Sequence, residues 1–366
     1  MALQRLVGRH RPWRPEAVGS PPPHRANNLD ALRLAAAGMV LLSHQFALTR
    51  LPHPTVGGID VGTLGVSIFF VLSGMLVTRS WQSDPHLLRF AARRLLRIWP
   101  ALALCVLVTA LVVGPWLGTL APADYFASDG LYAFVWNNLR FRVVYTLPGV
   151  FESNPYPGTV NGSLWTIPIE VMCYACIALV GLLGVLARGW MLPVLAACLA
   201  CWLELRAAGV VGQSTPGQNL KYGLLLVFLI GACAQRSQAL WMARPLPWVL
   251  ACVAVSAAAL AADRVFWATS AGAVLVVCWA YRSATPWLRR AGRFGDLSYG
   301  LYIYGFLVQQ SLLSLGMATW GLAAGFAAAL VVSLACAWVS WHAVERPALR
   351  YKPRTAAAPG SLRANA

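Results

Sequence analysis

Residues 29–49 read LDALRLAAAGMVLLSHQFALT, and this stretch decides the fold. It is apolar along nearly its whole length, and as a helix rising 1.5 Å per residue it is long enough to cross the hydrocarbon core of a bilayer. Arg33 stands near its start and His44 near its end. Eleven residues of helix separate the two by about 16 Å and return them to nearly the same face. An ionisable group at membrane depth is costly unless it meets a polar interior, so both are candidates for chemistry.

The rest of the chain is of the same kind. Of its 366 residues 58% are hydrophobic and 11% charged, against about a quarter charged in soluble domains. Mean hydropathy is +0.61. The fold class expected is an all-α integral membrane protein of about ten transmembrane helices, near 29–49, 60–78, 98–118, 162–186, 190–206, 219–235, 246–262, 264–281, 298–315 and 320–343. A net charge of +17 raises the question of nucleic acid, and its placement decides against it. With a cytoplasmic N-terminus, 22 of the 29 Lys and Arg fall in cytoplasmic segments, six fall outside (Arg50, Arg140, Arg142, Arg206, Lys221, Arg264) and Arg33 lies within the first helix. This is positive-inside asymmetry, so both termini are expected in the cytoplasm.

Three parts follow: a basic tail (1–28), a membrane domain (29–348) and an Ala/Pro/Gly-rich tail (349–366) expected to be disordered. The first 28 residues have no apolar core, so the first helix rather than a cleavable signal is expected to anchor the chain. The segment 119–161, on the outer face, is long for a mere connector. Cys173-x-x-Cys176 and Cys198-x-x-Cys201 mimic a zinc ribbon, yet both pairs sit in apolar helices without a polar surround. They read as helix packing, and no metal is expected.

Several blocks could carry chemistry. His44 suits a general base and Arg33 suits an anion, or compensates an acid such as Asp30 or Glu170; equally, Arg33 could snorkel and His44 bridge two helices. The small residues Gly65, Ser67, Ser73 and Gly74 read as close helix packing. The stretch HLLRFAARRLLRIW, 86–99, forms an amphipathic interfacial helix with Arg89, Arg93, Arg94 and Arg97. With Arg79 these arginines either anchor to headgroups or cradle the phosphates of an anionic cofactor. Glu170, nine residues into a helix entered from outside, matches His44 in depth and could orient it. Pro168 is expected to kink that helix, and Asn161-Gly162-Ser163 matches a glycosylation sequon. Tyr299, Tyr302 and Tyr304 suit interfacial aromatics, and Glu345 beside Arg346 suits a structural ion pair.

Taken in order, LDALR…H, GVSIFFVLSGML, RRLLRIWPAL, NGSLWTIPIEVMCY, LSYGLYIY and VERPAL resemble the family 3 membrane acyltransferases of bacteria, which O-acetylate surface carbohydrates. The resemblance spans about 28–348. It implies activity dependent on Arg33 and His44, with Glu170 alongside. It also implies a substrate-binding block at Ser163 and Trp165 and donor contacts from Arg93, Arg94 and Arg97, to which the reading of the Arg79–Arg97 region adds Arg79. The donor implied is acetyl-CoA or another acyl-CoA, with no permanently bound cofactor. The acceptor implied is a surface or lipid-linked glycan, and the location the bacterial inner membrane. The chain departs from the family pattern at Ser67, where many members are acidic, and at Gly305 and Phe306, where many have His. A transporter or flippase with an Arg/His path is the rival from another class, and it predicts internal repeats that the sequence lacks. A His-x4-Asp acyltransferase fails because position 49 is Thr.

Overall fold

A computed structural model of the chain describes residues 27–212 and 215–353. The expected N-terminal tail, but for Asn27 and Asn28, and the expected C-terminal tail beyond 353 lie outside the described residues. In chain order the α-helices are α1 (Leu29–Leu48), α2 (Val61–Ser83), α3 (Leu87–Val108), α4 (Gly114–Leu117), α5 (Pro122–Ala127), α6 (Asp129–Leu139), α7 (Thr166–Leu182) and α8 (Met191–Ala207). There follow α9 (Pro216–Arg236), α10 (Gln238–Ala243), α11 (Pro245–Ala261), α12 (Val265–Arg282), α13 (Ser298–Ser314), α14 (Leu322–Ser340) and α15 (Arg346–Leu349). Two-residue strands β1 (Thr55–Val56) and β2 (Ile59–Asp60) pair antiparallel, Thr55 opposite Asp60, as the hairpin between α1 and α2.

The chain is a multi-pass membrane protein. Among the described residues seven helices are long and apolar enough to cross a membrane: Leu29–Leu48, Val61–Ser83, Leu87–Leu117, Gly162–Leu182, Gly217–Arg236, Val265–Arg282 and Leu322–Leu349. The other three expected segments are helices of 17 residues each, α8, α11 and α13. Leu111, Val112, Leu250, Val253 and Val331 stand exposed on outer faces, where lipid tails supply the apolar surround.

α2 occupies the centre and packs on α1, α7, α9 and α12. Small residues set these approaches. A Cβ on Gly74 would lie 2.0 Å from the Phe228 carbonyl oxygen, and one on Gly231 would lie 2.2 Å from that of Val71. Likewise a Cβ on Gly62 would strike the Ser43 side chain at 2.5 Å, which fixes the β-hairpin over the end of α1. The Asp60 carboxylate caps α2 by accepting from the Thr63 amide at 2.6 Å.

Two elements differ from expectation. The arginine-rich stretch is not a separate interfacial helix: α3 runs through Pro100, and a π-turn at Thr109–Val113 carries it on to Leu117. The Tyr125 hydroxyl donates to the Ala110 carbonyl within the π-turn at 2.7 Å, satisfying backbone that a wider turn exposes. Pro168 is the third residue of α7, inside the first turn, where the helix has no intrahelical partner for the N–H that proline lacks. Segment 119–161 carries α5 and α6 and returns to the end of α4 through a bridge between Gly118 and Val150.

Candidate active site

Between α1, α2, α3, α7 and α13 lies a cavity of about 560 Å³. It follows α2 from Ser83 to Val66, about 25 Å of helix. Its walls divide by chemistry. Arg33, Arg79, Arg94, Arg97 and Lys352 supply cations, while Val66, Phe69, Phe70, Leu72, Leu76 and Ile98 supply an apolar wall. At its inner end Thr166 and Tyr302 share a hydroxyl–hydroxyl bond of 2.8 Å, and Phe69 meets the Tyr302 ring edge-on at 5.8 Å.

The anionic partner of Arg33 is Asp296, at 3.2 Å, not Asp30 or Glu170. The same Asp296 oxygen accepts from Arg97 at 2.5 Å, and its other oxygen accepts from Ser298 at 2.5 Å. Burial pushes the Asp296 carboxyl up, but Arg97 and Arg33 outweigh it and hold it below the usual carboxylate range. Asp296 lies in the GDLSYG block, whose tyrosines draw the eye; its role becomes visible only when α1, α3 and α13 converge. Arg97 also approaches Glu345 at 4.0 Å, and Glu345 accepts from Ser340, so the Glu345 pairing expected with Arg346 is instead with Arg97. Tyr299 and Tyr302 line the cavity and Tyr304 is buried, so this block is interior rather than interfacial.

Lys352, just past α15, completes the rim. Partial desolvation at that mouth, reinforced by Arg97 and Arg94, pushes its ammonium down to about 8 although the side chain stays exposed. The Arg94 guanidinium stands 5.8 Å from the Tyr174 ring centre, and its buried Nε has no hydrogen-bond partner among the described residues. Arg79 donates to the Tyr281 hydroxyl at 3.2 Å. Arg93 is the exception among the expected donor contacts. It is buried and bound to Asp84 at 2.7 Å, alongside Arg89 at 2.6 Å, and does not line the cavity. Hydrogen bonds from Arg89 and Arg93 hold the Asp84 carboxyl below its usual range, so this trio fastens the α2–α3 corner.

His44 stands at the other end. Its ring meets Phe306 edge-on at 5.1 Å, and Phe306 is one helical turn from Tyr302 on α13. About 6 Å of helix therefore separates His44's level from the inner end of the cavity. Glu170 does not orient His44. It accepts from the Tyr174 hydroxyl and lies in the cavity near Arg94. The reason is depth: Gly162 abuts Phe306, and Glu170 is eight residues farther on, about 12 Å below. The groups acting electrostatically on His44 are His53 and Asp60, both in or beside the hairpin. Ser43, next to His44, bonds to His53 Nδ1 at 3.1 Å and donates to Asp60 at 3.3 Å. Sequence reading missed this pair because only the hairpin folds it back over α1.

Ser163 and Trp165 lie on the 3-10 turn that enters α7, at His44's level and outside the cavity. Ser163 is fully buried, its amide held by Asn161 and its hydroxyl without a partner among the described residues. Asn161 is itself buried and donates to the Ile303 carbonyl at 2.8 Å, so the sequon's amide is occupied. Of the cysteines, Cys173 is buried but Cys198 and Cys201 are exposed on α8, so that pair faces outward rather than packing between helices.

A family model described as an acyltransferase domain matches residues 26–342. The O-acetyl transferase of Shigella phage Sf6 is 27% identical over 343 residues, covering 88% of this chain and 96% of its own length. Nodulation protein 10 of Rhizobium leguminosarum bv. viciae is 28% identical over 358 residues, covering 90% and 94%. No solved structure matches.

Proposed function

The chain belongs to the acyltransferase-domain family, and from that premise we propose an inner-membrane enzyme that moves an acyl group, acetyl in the first instance, from acyl-CoA to a carbohydrate hydroxyl of a surface or lipid-linked glycan. One observation carries the reading: a cavity cationic at its rim and apolar along its wall ends one helical turn from a histidine at membrane depth. Arg33, Arg79, Arg94, Arg97 and Lys352 suit the phosphates of the donor, and the apolar wall suits its acyl-bearing arm. Ten spans, with both termini on the donor side, fit the cluster of arginines at the cavity mouth.

In this reading His44 accepts the proton of the acceptor hydroxyl as its oxygen bonds to the thioester carbonyl carbon. The carbon–sulfur bond then breaks, and the CoA thiolate takes a proton to leave as free thiol. An acyl-histidine intermediate would divide the same exchange into two steps. Arg33, held by Asp296, positions the donor. Ser163 and Trp165 lie on the acceptor side.

The test is release of CoA thiol from acetyl-CoA by the protein in nanodiscs, with a bacterial surface-glycan extract as acceptor. His44→Ala should lower turnover at least about 100-fold, the range general-base loss produces. Full activity in His44→Ala would remove it from the chemistry, and absence of acetyl-CoA binding to the wild type would favour a transporter.

A further inference from the structure

At His44's end of the molecule lie three pieces of chain: the turn after α1, the loop before α7 and the hairpin before α2. The first is Arg50, just past α1, in the left-handed region at φ 59°. Its Nε donates to the Pro155 carbonyl at 2.7 Å, and its guanidinium lies 5.0 Å from the Tyr156 ring centre. The second is the loop carrying Tyr156, which α13 holds from below: Gln310 donates to the Tyr156 and Thr159 carbonyls at 2.8 and 2.7 Å and binds Asn154. Gln310 is fully buried, so the loop is fixed rather than free. The third is the hairpin with His53 and Asp60, whose side chains retain 55% and 27% exposure and lie 3.4 Å apart.

The ring of Tyr156 meets Phe306 edge-on at 6.4 Å, and Phe306 in turn meets His44. An aromatic shelf therefore leads outward from the histidine. Tyr156 keeps 36% of its surface open while its backbone carbonyl is held by Gln310. On one side of His44 the aromatic ring offers apolar area for ring C–H groups, and on the other a part-exposed imidazole and carboxylate offer hydrogen-bonding groups for hydroxyls. That is the chemistry of a sugar ring.

We propose that this juxtaposition, the Tyr156 shelf on one side of His44 and the His53–Asp60 pair on the other, is the acceptor subsite and takes a pyranose. The ring's C–H face lies on Tyr156, and Asp60 accepts from a hydroxyl adjacent to the one delivered to His44. The assignment rests on the acyltransferase reading above, and it names which residues meet the acceptor.

Saturation-transfer NMR in nanodiscs tests it, with methyl α-D-glucopyranoside, methyl α-D-galactopyranoside and methyl α-D-mannopyranoside as probes and acetyl-CoA binding measured on the same samples. Transfer to the ring C–H protons of at least one probe is expected from the wild type. It should fall at least fivefold in Tyr156→Ala and persist in Tyr156→Phe, with acetyl-CoA affinity unchanged within twofold in both. Intact acetyl-CoA binding without transfer to any probe, or with undiminished transfer in Tyr156→Ala, would overturn the subsite and leave the acyltransferase standing. Loss of acetyl-CoA binding in the wild type would instead remove the reading on which the subsite rests.

Discussion

Asp296 carries more of the cavity's electrostatics than any other single residue, because one carboxylate holds both Arg33 and Arg97. Replacing it by Asn leaves two guanidinium groups facing each other without compensation. Breaking a buried pair costs about 3–5 kcal/mol, and the partial exposure of these side chains reduces that to about 2 kcal/mol. Asp296→Asn should lower the thermal midpoint in nanodiscs accordingly. The native carboxyl is depressed, so its contribution is present above the ordinary carboxylate range and is lost as pH falls below about 4. The gap between wild type and variant should therefore be constant from pH 8 to 5 and narrow at pH 3.5. Lys352 titrates at about 8 and carries its charge below that value. The donor's secondary phosphate, with a pKa of about 6, is already ionised there. Acetyl-CoA affinity should weaken about fivefold between pH 7 and 9, roughly 1 kcal/mol. Lys352→Met should flatten that dependence, and an equally steep slope in the variant would clear Lys352 of any part in donor binding.

Between elements, glycines decide how closely α2 can sit on its neighbours. The atom opposing a Cβ at Gly74 is a backbone carbonyl oxygen of α9, which cannot swing aside as a side chain could. Gly74→Ala should cost about 3 kcal/mol, at the upper end of overpacking penalties. Gly38, with open space around its Cβ position, should tolerate Ala or gain up to about 1 kcal/mol from helix propensity. Thermal unfolding of the two variants side by side separates close approach from the general price of replacing a helical glycine. Two departures from the sequence expectation belong to the same scale. Glu170, nine residues in from the outer face, sits deeper than His44 because the entry turn of α7 is itself level with His44, which places Glu170 in the cavity. Arg93 falls on the same arginine face as Arg97, but its place near the start of α3 brings it to Asp84 instead.

Over the whole molecule, α1 spans two compartments: a cationic cavity at Arg33 and a His/Asp hairpin with an aromatic shelf at His44. If these open on opposite faces, cysteines introduced as Lys352→Cys and His53→Cys should react with a membrane-impermeant thiol reagent from opposite sides of sealed vesicles. Labelling of both from one side would contradict the proposed topology. The sequence by itself determined the multi-pass, all-helical membrane class, because bilayer depth imposes a length and polarity that can be counted along the chain. It also determined the family, because six short blocks recur in fixed order. Only the tertiary structure decided which charges are partners. Asp296 for Arg33, Asp84 for Arg93, and His53 with Asp60 beside His44 depend on which helices face each other and at what register. An ion pair forms at about 3 Å between segments as much as 263 residues apart, and no local pattern encodes that meeting.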